Sequence, residues 1–239
     1  MTLLIAWFAA AWAADGNAVL ALADEAMNRA KDLTIHWSVV DQEPGAKNTR
    51  ALAFTVMVKD GKSLTFFEQP ADQRGTRVLV LARDQMWIWL PAYAKVRRIA
   101  SHVTQQSFMG TSYSQDDMNA SRFGDVYAAT VSAETPASVT LELTPKPGAL
   151  VPYPRVQLTV GAADHLPTQI KYFNATGSHI KTETRSGYEC RGAICLPGVM
   201  RIDDLTRPGA WTELRRTAWE ADTGIGEDVF TVRTLQMGI

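Results

Sequence analysis

Alternation of apolar and polar residues dominates the chain after residue 33. Apolar side chains occupy every second position through most of residues 33–40, as in a strand with one buried face. The same period recurs in residues 50–59 and 62–69, which flank Asp60-Gly61, a dipeptide typical of a tight hairpin turn. About eleven such runs follow one another, separated by turn residues and by no flexible linker. The pattern predicts one mainly β domain built as an antiparallel meander.

Two segments depart from the strand pattern. Residues 17–33 carry apolar side chains at intervals of three and four, which predicts an amphipathic helix that lies on an apolar surface. Residues 101–123 interrupt the strand series with apolar residues that do not alternate. Within them, Ser114 with Asp117 three positions later forms a weak capping box and predicts a short helix. A long insertion of this kind is often a lid or a binding loop.

The start of the chain has the form of a targeting signal. Residues 1–14 are apolar and uncharged, and they are too few to span a bilayer, which needs about 20 residues. Ala11-Trp12-Ala13 has the small-x-small form of a signal-peptidase site. We therefore expect a signal peptide over residues 1–13 and a single exported domain over 14–239, with a buried N-terminal helix as the alternative.

Export would place the two cysteines in an oxidising compartment. Cys190 and Cys195 lie between two strand-like runs and could pair across a tight turn, or they could remain two free thiols. Two cysteines are too few for a disulfide-rich scaffold or for a zinc site made of cysteine ligands.

Charge and motifs exclude several classes of function. The chain has 24 Lys and Arg against 25 Asp and Glu, a net charge of −1, whereas a nucleic-acid binder needs an excess of basic residues. Its four histidines have no metal-binding spacing, and no G-x-S-x-G elbow occurs. We therefore expect no catalytic residue, metal or cofactor, and a protein that is not an enzyme.

One strand is apolar on both faces. In residues 85–90, Met86 and Ile88 lie on one face and Trp87 and Trp89 on the other, all of them large. Such a strand is buried on both sides. A curved sheet wrapped around its own interior space would produce this pattern, and so would an ordinary closed core.

The middle of the chain resembles a known family. Residues 86–91 (MWIWLP), 95–100 (KVRRIA), 107–110 (SFMG) and 117–118 (DM) follow one another as in the outer-membrane lipoprotein-sorting proteins, the LolA-like and LolB-like carriers. Each piece alone is weak, but the combination over about 33 residues is specific. The leading helix and the upstream hairpin are compatible with the same family.

The resemblance implies a fold and a function. The fold is a highly curved antiparallel β-barrel that is not closed, with helices covering its open side and a hydrophobic cavity between sheet and helices. The function is that of a soluble, monomeric periplasmic carrier, which receives acyl chains of lipoproteins or other lipids from an inner-membrane exporter and delivers them to an outer-membrane acceptor. A non-carrier interaction module on the same scaffold, such as a lipid sensor or an exporter accessory, is the alternative.

Strand faces and the insertion give candidate site residues. For the cavity wall we predict Ile35, Trp37, Phe54, Val56, Phe66, Leu79, Trp87 and Trp89. For the lid we predict Phe108, Met109, Tyr113 and Met118. At the rim, Lys95, Arg97 and Arg98 are candidates for contact with anionic headgroups or an acidic partner, or they are simply solvated. Strand parity leaves open whether Trp87 or Ile88 faces inward.

Overall fold

Fifteen strands and three α-helices make up the described part of the chain, which in this computed structural model comprises residues 15–82, 84–100, 106–118 and 122–238. The helices are α1 (Gly16–Met27), α2 (Gln115–Met118) and α3 (Val232–Met237). The strands are β1 (Asp32–Gln42), β2 (Arg50–Lys59), β3 (Lys62–Gln69), β4 (Arg77–Ala82), β5 (Gln85–Leu90), β6 (Lys95–Ile99), β7 (Tyr127–Glu134), β8 (Ser138–Pro145), β9 (Arg155–Gly161), β10 (Pro167–Phe173), β11 (His179–Ser186), β12 (Glu189–Arg191), β13 (Ile194–Leu196), β14 (Val199–Asp204) and β15 (Ala210–Ala221). The predicted leader over residues 1–13 lies outside the described residues.

Thirteen of these strands form one antiparallel sheet. Their order is β6-β5-β4-β3-β2-β1-β15-β14-β11-β10-β9-β8-β7, and the two end strands do not pair with each other. The prediction of a mainly β, unclosed antiparallel sheet is confirmed, although its count of about eleven strands is low. The remaining strands, β12 and β13, form a small separate hairpin.

Helix α1 is shorter than its apolar period predicts. It starts after Asp15, whose carboxylate accepts a hydrogen bond from the backbone N–H of Asn17, and it ends at Met27. The predicted end at Leu33 is wrong because Leu33 is already part of β1, where it pairs with Val58 and Ala221. Sheet pairing on both sides therefore outweighs the helical spacing of this stretch.

The same helix covers the sheet at β7. A Cβ atom on Gly16 would lie 2.6 Å from the carbonyl oxygen of Ala129, so a larger residue would force the helix away from the strand. The Asn17 side-chain oxygen accepts a hydrogen bond from the Ala129 N–H at 2.9 Å. The start of α1 thus supplies a hydrogen-bond partner for a backbone N–H of this end strand.

The sheet has two faces with different covers. We call inner the face that carries Trp37, Phe54 and Val80, which belongs to one large core with α1 and with residues 106–118. We call outer the face on which Leu64 and Leu79 pack against residues 225–237 in a smaller cluster. Within the described ranges, no helix has the length and hydrophobicity that crossing a bilayer requires.

Candidate functional site

A cavity of about 540 Å³ lies between the inner face and its covering segments. Its walls are β1–β3, the end of α1, the β12–β13 hairpin and the segment 106–118, which we call the lid. Apolar side chains from separate elements meet there: Met27, Leu33, Val56, Phe108, Leu196 and Leu214. The volume lies in the range of about 300–1,000 Å³ that is usual for small-molecule sites.

Half of the predicted wall residues lie on this side of the sheet. Ile35, Trp37 and Val56 line the cavity. Phe54 belongs to the same inner core and packs against Phe67, with ring centroids 5.5 Å apart.

The other four predicted wall residues lie on the outer face, so their assignment to the cavity is wrong. Val56 pairs with Thr65, and this places Thr65 rather than Phe66 on the inner face. The two-residue turn at Asp60-Gly61 pairs Lys59 with Lys62, and regular antiparallel pairing from there fixes the faces of β3, β4 and β5. The residues affected are Phe66, Leu79, Trp87 and Trp89, which pack in the outer cluster, whereas Ile88 faces inward.

The lid contributes apolar contacts and a short helix. Phe108 and Met118 line the cavity, and Met109 packs against the inner core. The ring of Phe108 lies 5.7 Å from that of Phe67 on β3. The predicted short helix is confirmed as α2.

Reciprocal hydrogen bonds define the start of α2. The Ser114 N–H donates to Asp117 Oδ2 at 2.7 Å, and the Asp117 N–H donates to Ser114 Oγ at 3.1 Å. This is the arrangement of a capping box, which satisfies N–H groups that a helix start leaves without partners.

A polar contact ties the lid to the sheet. The N–H of Ser112 donates to Thr212 Oγ1 at 2.8 Å, and that hydroxyl donates to Asp41 Oδ1 at 2.5 Å. Beside it, Gly110 adopts φ +80°, and a Cβ atom there would lie 3.0 Å from the Arg50 guanidinium nitrogens. The lid therefore rests closely against β1, β2 and β15.

Asp117 is the second anchor of the lid. Its buried carboxylate accepts hydrogen bonds from Lys181 Nζ at 2.7 Å and from the Tyr153 hydroxyl at 2.6 Å. Burial, with the nearby Asp117 charge, raises the pKa of Tyr153 well above its ordinary value, so its hydroxyl keeps the donated proton. A cation from β11 and a phenol from the loop between β8 and β9 thus hold one lid carboxylate.

A second buried ion pair lies on the same face of β11. Glu183 accepts hydrogen bonds from Arg185 Nε at 2.7 Å and from the Tyr172 hydroxyl at 3.0 Å. Burial acts to lower the pKa of Arg185, but Glu183 and the neighbouring Tyr188 and Tyr172 raise it overall. Arg185 therefore stays charged, and it lines the cavity together with Tyr188.

The buried hydroxyl of Tyr113 lowers the stability of the lid packing. The side chain is 1% exposed, and among the described residues its hydroxyl has no hydrogen-bond partner. A buried hydroxyl without a partner costs about 1–3 kcal/mol. The Tyr113 hydroxyl therefore destabilises the observed packing of residues 106–118, whereas the contacts of Lys181 and Tyr153 with Asp117 stabilise it.

The predicted rim residues do not border this cavity. Lys95, Arg97 and Arg98 are exposed on β6, the end strand that lies three strands beyond β3. The cysteines are closer to it, because Cys190 and Cys195 form a disulfide across the β12–β13 hairpin, and Cys195 lines the cavity wall.

Sequence reasoning missed the charged residues of the cavity. Lys181, Glu183 and Arg185 recur at every second position of β11, with threonines between them. Both faces of the strand are therefore polar in sequence, and alternation alone does not say which face is buried. The spacing of three charges on one face was the available signal. In the described part of the chain, no group of three His, Cys, Asp or Glu side chains is placed to hold a metal ion.

Comparison with known proteins identifies related folds. A protein of the DUF1329 family from Desulfovibrio piger superposes with a TM-score of 0.82 at 26% identity, covering 92% of this chain and 99% of the other. A Vibrio parahaemolyticus domain named for outer membrane lipoprotein sorting gives 0.79 at 22% identity over 91% and 97% of the two chains. A LolA superfamily protein from Nitrosomonas europaea gives 0.75 at 18% identity over 92% and 98%.

The family itself is shown by a match in sequence. A family model described as an uncharacterized protein matches residues 59–237, about three quarters of the chain. No curated protein matches the sequence. The chain belongs to the family that this model describes, and its fold is that of the outer-membrane lipoprotein-sorting, LolA-like proteins that its sequence resembles.

Proposed function

We propose that the protein is a soluble periplasmic carrier that binds acyl chains of lipoproteins or other lipids and transfers them between membranes. The domain over residues 14–239 is the lipid-binding unit, and residues 1–13 are its signal peptide. The observation that carries the proposal is the cavity of about 540 Å³ under the lid, into which apolar side chains from β1, β2, β14, β15 and the lid project.

The physical need for such a cavity is large. Exposing one methylene group to water costs about 0.8 kcal/mol, so a chain of about 16 carbons costs more than 10 kcal/mol. Apolar walls on β1, β2 and β15 remove this cost without any reaction. A carrier needs no catalytic residue, only an enclosure that opens and an acceptor that binds the cargo more tightly.

Filling the cavity tests the proposal. Val56→Trp places a large side chain inside it, and Phe66→Trp is the matched control on the neighbouring strand of the outer face. We expect Val56→Trp to weaken binding of an acylated fluorophore at least tenfold, and Phe66→Trp to leave it within about twofold. Native mass spectrometry of gently purified protein should also show bound lipid. Absence of lipid together with no fluorophore binding would refute the carrier.

An interaction module is the second candidate, and the β6 end strand favours it. Lys95, Arg97 and Arg98 are exposed there, next to Tyr93, which is 65% exposed. Phe108→Asp should abolish lipid binding by placing a charge in the cavity wall. If capture of a membrane protein survives this change, the partner contact is independent of lipid.

A further inference from the structure

We infer that the ligand of the cavity is an anionic amphiphile, an acyl chain ending in a carboxylate or phosphate oxyanion that lies against the Arg185 guanidinium. The inference rests on the proposed function and names the chemical class of its ligand.

The donors of Arg185 are the first argument. Its side chain is only 9% exposed, and it lines the cavity. The guanidinium donates from Nε to Glu183 at 2.7 Å and interacts with the Tyr188 hydroxyl, whereas its Nη1 meets the thioether sulfur of Met27 at 3.5 Å. Sulfur is a weak acceptor, and a guanidinium has five N–H donors in a fork that fits an oxyanion. An oxyanion would therefore give this buried cation a far stronger partner than Met27.

The path from Arg185 across the sheet is the second argument. Arg185 pairs with Met200 on β14, and Met200 pairs with Leu214 on β15. On the next two strands, β1 and β2, the cavity is lined by Trp37 and Val56, which lie two and four residues along the same face from the direct line of pairing. With strands about 4.8 Å apart, the four steps from β11 to β2 span about 19 Å. An acyl chain with its head at Arg185 would have an apolar surface along this length.

Charge selects among head groups. A cationic head would be repelled by Arg185, and a neutral ester would accept a weaker hydrogen bond than an oxyanion. Glu183 already forms an ion pair with the guanidinium, and Lys181 forms one with Asp117, so neither cation carries an unbalanced charge. The expected preference for an anion over a neutral ester is therefore moderate, on the order of tenfold.

The test compares three ligands of one chain length. Palmitate, hexadecyl phosphate and methyl palmitate compete for a bound acyl fluorophore in the full chain. We expect palmitate or hexadecyl phosphate to bind about tenfold more tightly than methyl palmitate, and the order of the two anions assigns the head group. Equal affinity of all three overturns the inference but leaves the carrier proposal intact. Failure of all three to bind overturns both.

Matched variants locate the effect. Glu183→Gln with Arg185→Met removes the inner ion pair together, so neither charge is left buried alone. The ratio of anion affinity to methyl palmitate affinity should fall to within about twofold. Glu142→Gln with Arg155→Met removes an ion pair from β8 and β9 and should change nothing. Arg185→Lys, which keeps the charge but loses the fork, should retain part of the preference. A preference that survives in the first double variant overturns the inference.

Discussion

Two parts of the sheet, the inner face of β1–β3 and the outer face of β3–β5, carry buried apolar side chains but are covered in different ways. On the outer face, Leu64 and Leu79 are fully buried under Phe230 and Leu235. On the inner face, a cavity remains between the sheet, α1 and the lid.

Side chains of the sheet hold both covers in place. On the outer cover, Arg77 donates hydrogen bonds to the carbonyls of residues 235 and 236, and Lys62 pairs with the exposed Glu227. On the lid, the buried Asp117 carboxylate accepts hydrogen bonds from Lys181 and Tyr153. The two covers therefore differ in how deeply their charged contacts are buried.

The largest effect is expected from breaking the inner ion pair. Glu183→Ala leaves Arg185 charged and without its partner in a buried site, which costs about 3–5 kcal/mol. Glu142→Ala breaks the half-exposed pair with Arg155 on the opposite face of the sheet and should cost below about 1 kcal/mol. Urea denaturation of both variants measures the difference. Equal losses would show that the inner pair is as well solvated as the outer one.

Truncation of a side chain in the outer cluster should give the second largest loss of folding stability. Leu79→Ala leaves a void in a fully buried site and is expected to cost about 2–5 kcal/mol. Ile35→Ala removes methyl groups that already face the cavity, so it loses fewer contacts and should cost less. Acyl binding should show the reverse order, changed by Ile35→Ala and unchanged by Leu79→Ala. A binding defect in Leu79→Ala would contradict the separation of the two faces.

The lid attachment is expected to give a smaller effect. Lys181→Met removes one partner of Asp117, while the Tyr153 hydroxyl and the Ser114 N–H remain, so the loss should be about 1–3 kcal/mol. Hydrogen exchange over residues 106–118 should become faster. Lys171→Met, on the neighbouring strand β10, is the control and should leave this exchange unchanged. Identical exchange in both variants would assign the closure of the lid to other contacts.

The smallest effect is a pH dependence at the outer cover. Burial acts to raise the pKa of Asp32, but hydrogen bonds from Thr223, Gly224 and Ile225 outweigh it and hold the pKa below its ordinary value. Asp32 therefore stabilises the fold fully above its unfolded pKa of about 3.9, and this contribution is lost as the pH falls through the lowered value.

Replacement of this carboxylate gives the measurement. Asp32→Asn should lower the free energy of unfolding by about 1 kcal/mol at neutral pH, as the loss of a capping carboxylate does. The difference in unfolding free energy between the variant and the parent should shrink in acid. Asp60→Asn, in the exposed hairpin turn, should behave as the parent at every pH. A constant difference for Asp32→Asn between pH 7 and pH 2 would contradict the assigned direction.

Local sequence patterns predict which residues form strands and turns better than they predict which face of a strand is the inner one. The Asp60-Gly61 turn is read directly from sequence, and both residues have positive φ in the structure. The position of Trp87 is not read in this way, because both faces of its strand are apolar and alternation does not distinguish Trp87 from Ile88. Phe66 and Phe67 are likewise adjacent and apolar, and it is the pairing of β3 with β2 that places Phe67 inward beside Phe54.

The candidate site was predictable only in its apolar part. Ile35, Trp37 and Val56 follow from alternation because their neighbours along β1 and β2 keep that period. Arg185 and Lys181 depend on contacts with Met27 and Asp117, which lie far away in sequence. Such long-range pairings leave no local signal beyond the spacing of the charges.

The two ends of the sheet differ in a way that bears on how copies of the protein meet. At β7, Asn17 and Gly16 of α1 occupy part of the strand. At β6, the strand carries three cations, Lys95, Arg97 and Arg98, within five residues. Two copies aligned along β6 would bring six positive charges together, which opposes continuous pairing of strands from one molecule to the next. Among the described strands β6 pairs only with β5, and its cations therefore oppose polymerisation of the sheet through this edge.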